Sequence, residues 1–488
     1  MGDCDSGQVP FYIMIKKILN NKLNLALAGL IVFSAFLFRQ TFLAYFSQDD
    51  FFHFKLGQAD NLTSFLHFFS LKSLGSIGFY RPLTVQVYSF LGQVVFGLNC
   101  YLYHFFNFLI FSLTILVIFN IFKKLFKNNG EAFLATFIYA VSSFHFTTLS
   151  FLWGIEELLT GLFYFLTVFF YLKKSNWSLF FFILALLSRE TAITLPLVIF
   201  LFEFIRDKNF KKVWPFFVVL TAYLGIRWWY KIIPDKTIYL ISFSPKVIFN
   251  NYFWFLSWGI GAPENLIDFI SFPKINPRFF ETYPFFGKLE IILLAIIFWL
   301  IFVEAVKLFG GKKQKDREKL KLCFFFAGWF LITLLPFVFL VNHRFAFYLE
   351  IPFFGLAGFL SPIFFKTKLK WFFLSLYLGI SLLTVNFYSK FYWGVTRAKI
   401  AHKILINLKN EYPVLPENAS LFFLNDKNYS SPSVEWGGTS TQAKHALSGC
   451  NGPSFVYQND SLRCYFEDFD KPSDFQDNIY KFTVILEK

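Results

Sequence analysis

Apolar runs of about 20 residues, closed by short clusters of Lys and Arg, recur along most of this chain and restrict what it can fold into. A helix of that length rises about 30 Å, the thickness of a bilayer's hydrocarbon core. With 56% hydrophobic, 23% aromatic and only 16% charged residues over 488 positions, the chain has too little polar surface to cover a soluble body. The expected fold is an all-α polytopic membrane protein. The formal charge of +15 points in the same direction, because Lys and Arg gather in loops between the apolar runs, where they set orientation. Nucleic acid is therefore not an expected partner; the bilayer is. The 77 Phe read as the apolar codon usage of an AT-rich genome and carry no function.

Residues 1–22, with Lys16, Lys17 and Lys22 and no small-residue cleavage site, read as an uncleaved cytoplasmic start. A transmembrane domain follows over 23–388. Its expected spans are 23–46, 101–122, 132–149, 157–172, a hairpin over 178–205, 213–230, 289–309, 322–341, 345–364 and 371–388, with "FKKLFKN", "LKKSN", "RDKNFKK" and "KTKLK" inside. Counting the hairpin as two gives eleven. Each hairpin arm has around 13 residues, or about 20 Å, and Arg189 and Glu190 fall at its tip. The first outer loop, 47–99, has the pattern of interfacial helices. The stretch 246–262 is read as outside, since crossing there would deliver "GGKKQKDREKLK" to the outer face.

From 389 to 488 the composition changes: Asn, Ser, Asp and Gly rise, Pro413 and Pro416 mark a linker, and "SLFFLND" and "FTVILEK" alternate as strands do. This tail is expected to be a small extracytoplasmic α/β domain. Cys450 and Cys464 lie in it, where the compartment permits either a disulfide or two free thiols. The protein is expected in a bacterial plasma membrane.

Polar residues of chemical interest sit at the outer ends of the apolar runs. Asp49 and Asp50 follow the first span in "YFSQDDFFHFKLGQ". Adjacent acids repel each other and are costly near hydrocarbon, so the pair suggests a task. Arg81 stands in "FYRPL", His145 and Glu156/Glu157 in "SSFHFTTLSFLWGIEELLTG", Arg189 and Glu190 in "LLSRETAITLP", and His343 and Arg344 in "LVNHRFAFYLEIPFFG". Acids at one place and arginines at several others suit a substrate with both a hydroxyl and a phosphate, since a carboxylate accepts a proton and guanidinium groups bind phosphate.

The acid pair after the first span, the "YRPLT" segment, "SRETAITLP" and the late "R.A.YL.IP..G" pattern resemble the polytopic GT-C glycosyltransferases. The nearest branch is that of the protein O-mannosyltransferase-like enzymes with tetratricopeptide tails and their bacterial relatives. The resemblance covers about residues 20–390. It implies a polyprenyl- or dolichyl-phosphate monosaccharide as donor and inverting transfer to a hydroxyl of a glycan, lipid or protein outside the cytoplasm. By position, Asp49 matches the family's first-loop general base and Asp50 its neighbour. Arg189 matches a basic residue of the hairpin, often Lys there, and Arg344 the late arginine; both would contact the lipid phosphate. Arg81, Glu190 and His343 complete the expected substrate-binding set. The chain lacks tetratricopeptide repeats, so a protein acceptor is not specified, and it has Phe146 and Leu149 where relatives have Pro and Glu after His145.

Plainer readings exist for several of these residues. Asp49 and Asp50 could cap a surface helix. Arg189 and Glu190 could neutralise each other within the hairpin, and Arg81 could reach for headgroups. No cofactor is required; a divalent metal held by His53, His145 or His343 with the acid pair is the open alternative. A transporter or flippase of lipid-linked saccharides would also want arginines facing phosphate, although such proteins usually show internal repeats and mid-membrane polar groups.

Overall fold

The computed structural model describes residues 22–71, 78–206, 208–232, 239–271, 274–310, 314–429, 437–470 and 479–486. Almost all of the expected cytoplasmic start at 1–22 lies outside them. The body is helical. Four helical runs are long and apolar enough to cross a bilayer: Cys100–Phe126, Ile155–Leu172, Pro284–Phe309 and Lys370–Glu411. They coincide with the expected spans at 101–122, 157–172, 289–309 and 371–388.

The remaining expected spans are shorter than their apolar runs, so the eleven-span count is not supported. Helices Lys22–Leu37, Trp177–Ser188 and Pro352–Phe364 have 16, 12 and 13 residues. The reason is visible at 132–149. The helix that opens at Asn129 ends at Ala140, and the ring Nε2 of His145 lies 2.8 Å from the carbonyl of Tyr139; a new short helix then begins at His145. Hydrophobicity runs on through such breaks, whereas the helical hydrogen-bond ladder does not. At 178–205 the break falls where expected: Arg189 is extended, and a 3₁₀ turn over Glu190–Thr194 leads into helix Leu195–Ile205.

Cys100–Phe126 shows how local chemistry sets an end. Lys127 adopts a left-handed conformation with its N–H on the carbonyl of Lys123, and Lys123 and Lys124 oppose the helix dipole. The side chain of Asn128 then caps the next helix through the amides of Gly130 and Glu131. One face of Cys100–Phe126 buries Tyr103, Phe111, Ile115 and Phe122, while Tyr101, Phe105, Leu109 and Leu113 are exposed. An apolar face of that extent calls for apolar surroundings.

Helix Pro245–Ile260, read from sequence as lying outside, is packed into the bundle. Trp254, Phe255 and Trp258 are buried, and the hydroxyl of Tyr377 donates to the carbonyl of Gly259 at 3.2 Å. A Cβ at Gly259 would come within 2.8 Å of the Leu356 side chain and 3.2 Å of the Phe353 ring, so a larger residue there would make these side chains shift.

The tail contains the expected sheet. Strand Ser420–Asn425 is central and pairs in parallel with Arg463–Phe466 and Ile479–Val484. Helices Thr439–Ala446 and Asn451–Tyr457 fall between the first two strands, and helix Trp393–Glu411 packs against both. Cys450 and Cys464 form a disulfide. This domain grips the first loop: Phe455 stacks on Phe54 at 4.4 Å, and the amide of Gln48 donates to the carbonyl of Ala446 at 2.8 Å.

Candidate functional site

The acid pair opens helix Asp49–Leu56, and its two members face different surroundings. Asp50 is buried; its carboxylate accepts the backbone amides of Ser47 at 2.9 Å and Trp153 at 3.0 Å. It thereby ties the start of its own helix to Ser47, just before it, and to the turn that precedes Ile155–Leu172. Burial pushes its pKa up to about 7 despite those bonds. Gly154 closes the same turn, where a Cβ would lie 1.9 Å from the carbonyl oxygen of Thr148.

Asp49 is exposed and stands on the wall of an open 680 Å³ cleft. Desolvation raises its pKa, partly countered by His53, and the negative charge of Glu156 adds to the rise. The residue before it, Gln48, is held at φ 53°, ψ −120°. A non-glycine residue in that region costs about 1–3 kcal/mol, a strain found mostly at functional sites. The same cleft is lined by Phe345, Trp393, Lys444 and His445.

Beside Asp49 lies a buried ionic network. Arg81 donates through Nε to Glu190 at 2.9 Å, through Nη2 to the other oxygen of Glu190, and through Nη1 to Glu156 at 2.6 Å. Nη1 of Arg189 is 3.0 Å from Glu156 and 2.7 Å from Glu157, and its guanidinium lies over the Tyr348 ring. Nε2 of His53 is 3.7 Å from Glu156. Charges this deep persist only when paired and hydrogen-bonded. Glu190 thus pairs with Arg81 and not with its neighbour Arg189, which corrects the internal-pair reading of the hairpin. Arg81 is likewise buried in the protein and does not reach out to headgroups.

His343 adjoins this network, its ring 4.5 Å from that of Tyr239. Burial, reinforced by Arg189 and Arg81, pushes its pKa down to about 4, so it is neutral at pH 7. Arg344 turns elsewhere and donates to Asn251 at 3.2 Å; its Nε and that of Arg189 are buried without a hydrogen-bond partner among the described residues. His145 is inside the bundle, with Nδ1 3.1 Å from Glu350.

The structure therefore gathers Asp49, Arg81, Arg189, Glu190 and His343 and leaves Arg344 and His145 apart. It adds Glu156 and Glu157, which sequence reasoning noticed without assigning. Two carboxylates in the first turn of an apolar span need cationic partners, and the arginines at the same face were that signal. Nothing in the tail's sequence pointed to Lys444 or His445. Among the described residues no three His, Cys, Asp or Glu side chains converge as a metal set. His53, His145 and His343 each have separate partners, so the residues do not fit the divalent ion considered from sequence. Neither protein-family models nor curated protein sequences show a match to this chain.

Proposed function

We propose that this protein is a multi-pass membrane glycosyltransferase of GT-C type, moving a sugar from a polyprenyl-phosphate carrier to a hydroxyl outside the cytoplasm. The observation that carries the reading is Asp49: a solvent-facing carboxylate on a cleft wall, with a raised pKa, set in place by a strained Gln48 and a clamped Asp50. A raised pKa makes the carboxylate a stronger base.

In the proposed reaction the acceptor oxygen attacks the anomeric carbon from the face opposite the phosphate. Its proton passes to Asp49 as the bond from that carbon to the phosphate oxygen breaks. The electron pair leaves on the lipid phosphate, a good leaving group that needs no general acid, and the configuration inverts. The guanidinium of Arg189, held rigid by its Glu156 and Glu157 contacts, adds positive charge to the network beside Asp49 and so favours a phosphate there. The orientation is supported by Lys123, Lys124, Lys173 and Lys174 at one set of helix ends and by the Cys450–Cys464 disulfide, which suits an oxidising compartment, in the tail.

The test is transfer of label from radiolabelled polyprenyl-phosphate sugars by membranes containing the protein. Asp49→Asn keeps the volume but not the basicity, and transfer should fall about 10²–10⁴-fold with unchanged insertion and melting. Turnover within a few-fold of wild type removes Asp49 from the mechanism. Lipid movement across the bilayer that survives the substitution, with no transfer by either form, favours a flippase instead.

A further inference from the structure

The Asp49 cleft has a second wall that the proposed reaction does not use. Lys444 and His445 close helix Thr439–Ala446 of the C-terminal domain and line the cleft with Asp49, Phe345 and Trp393. His445 is exposed, and Nζ of Lys444 is steadied 3.6 Å over the Phe469 ring. Lys444 gives this wall its positive charge; partial burial, with Arg397 and Lys444, depresses the pKa of His445, which therefore offers a ring N–H and no charge at pH 7. The ring centroids of Phe345 and Trp393 lie 5.9 Å apart and give the cleft apolar surface. A cleft with one carboxylate, a cationic wall and aromatic faces matches a ligand with a hydroxyl, an anionic group and an apolar ring face.

We propose that Lys444 and His445 form an anion subsite in the Asp49 cleft, which takes a phosphate or carboxylate of a hydroxyl-bearing sugar ligand. The pairing with Asp49 rests on the glycosyltransferase reading; the anion subsite itself does not. The anion has two sources, the acceptor's own charge or the donor's lipid phosphate, and both present the same chemistry to these residues. The C-terminal domain thus forms part of the site, and its grip on Phe54 and Gln48 keeps the two walls together.

The test uses the full-length protein in phosphatidylcholine nanodiscs at low salt, with glucose, glucose 6-phosphate and glucuronate as soluble probes and saturation-transfer NMR as the readout. The charged sugars should bind about tenfold more tightly than glucose, with the preference shrinking as salt is raised. The Lys444→Gln/His445→Gln double variant should lose the preference with its melting unchanged, and Lys444→Arg should keep it. Decaprenyl phosphate in the nanodisc identifies the source: competition with glucose 6-phosphate assigns the subsite to the donor, and its absence to the acceptor. Equal binding of glucose and glucose 6-phosphate overturns the proposal, as does a preference that persists in the double variant. Asp49→Asn separates the two ideas, because anion preference that survives alongside undiminished transfer refutes the catalytic reading alone.

Discussion

Replacing Arg81 with Gln removes the donor that serves both oxygens of Glu190 and one oxygen of Glu156. Removing one partner of a fully buried pair costs about 3–5 kcal/mol, since the other charge is left without compensation. The Glu190 side chain keeps 27% of its surface, so water relieves part of this, and about 3 kcal/mol is expected. Glu190→Gln should cost less, about 1–2 kcal/mol, because Arg81 still holds Glu156. The double variant should then show a coupling of about 2 kcal/mol between Arg81 and Glu190. Arg189 gives the contrast. Its contacts at 2.7 and 3.0 Å are to Glu157 and Glu156, so its coupling to Glu190 should stay below about 1 kcal/mol. Both cycles can be read by unfolding in detergent micelles titrated with SDS. An Arg189–Glu190 coupling as large as that of Arg81–Glu190 would mean that the hairpin pair neutralises itself and that the network is drawn wrongly.

Glu264, buried and accepting from the amide of Ala346 and the indole of Trp393, has its pKa pushed up to about 7, chiefly by burial. A folded pKa above the unfolded value means that stability from this group falls as pH rises from about 4 to 7. Melting of Glu264→Gln relative to wild type should therefore improve across that window and level off above it; a flat difference would show that the carboxyl is not held protonated. The Cys450–Cys464 bond spans 14 residues of sequence, and reducing it should lower the stability of the C-terminal domain by about 3 kcal/mol. Limited proteolysis with and without reductant tests this, and an unchanged cleavage rate within the tail argues against it. Single cysteines at Asn428 and Lys368 should react with an impermeant thiol reagent from opposite sides of the membrane. Labelling of both from outside would contradict the proposed orientation.

The positions of the long helices were legible in the sequence because hydrophobic length and flanking charge act locally, along the chain. So was the break at Arg189, where two charges and a polar residue interrupt an apolar run, and so were two strands of the tail, whose alternation is a short-range pattern. The shortening of the other helices was not, because it depends on what replaces the backbone hydrogen bonds at each break, as His145 does beside the Tyr139 carbonyl. The site divides in the same way. That Asp49, Arg81, Arg189, Glu190 and His343 stand at the ends or breaks of apolar runs follows from the sequence. Their pairing does not: Glu190 reaches Arg81, 109 residues away, in preference to its neighbour, because an extended Arg189 sends successive side chains in different directions. The different fates of Asp49 and Asp50 also depend on a distant backbone, the amide of Trp153 drawing one inwards while the other remains on the cleft wall. Lys444 and His445 come to that cleft only because the tail folds back onto the first loop, and the burial that decides such long-range contacts is a property of the assembled surfaces, which no local pattern encodes.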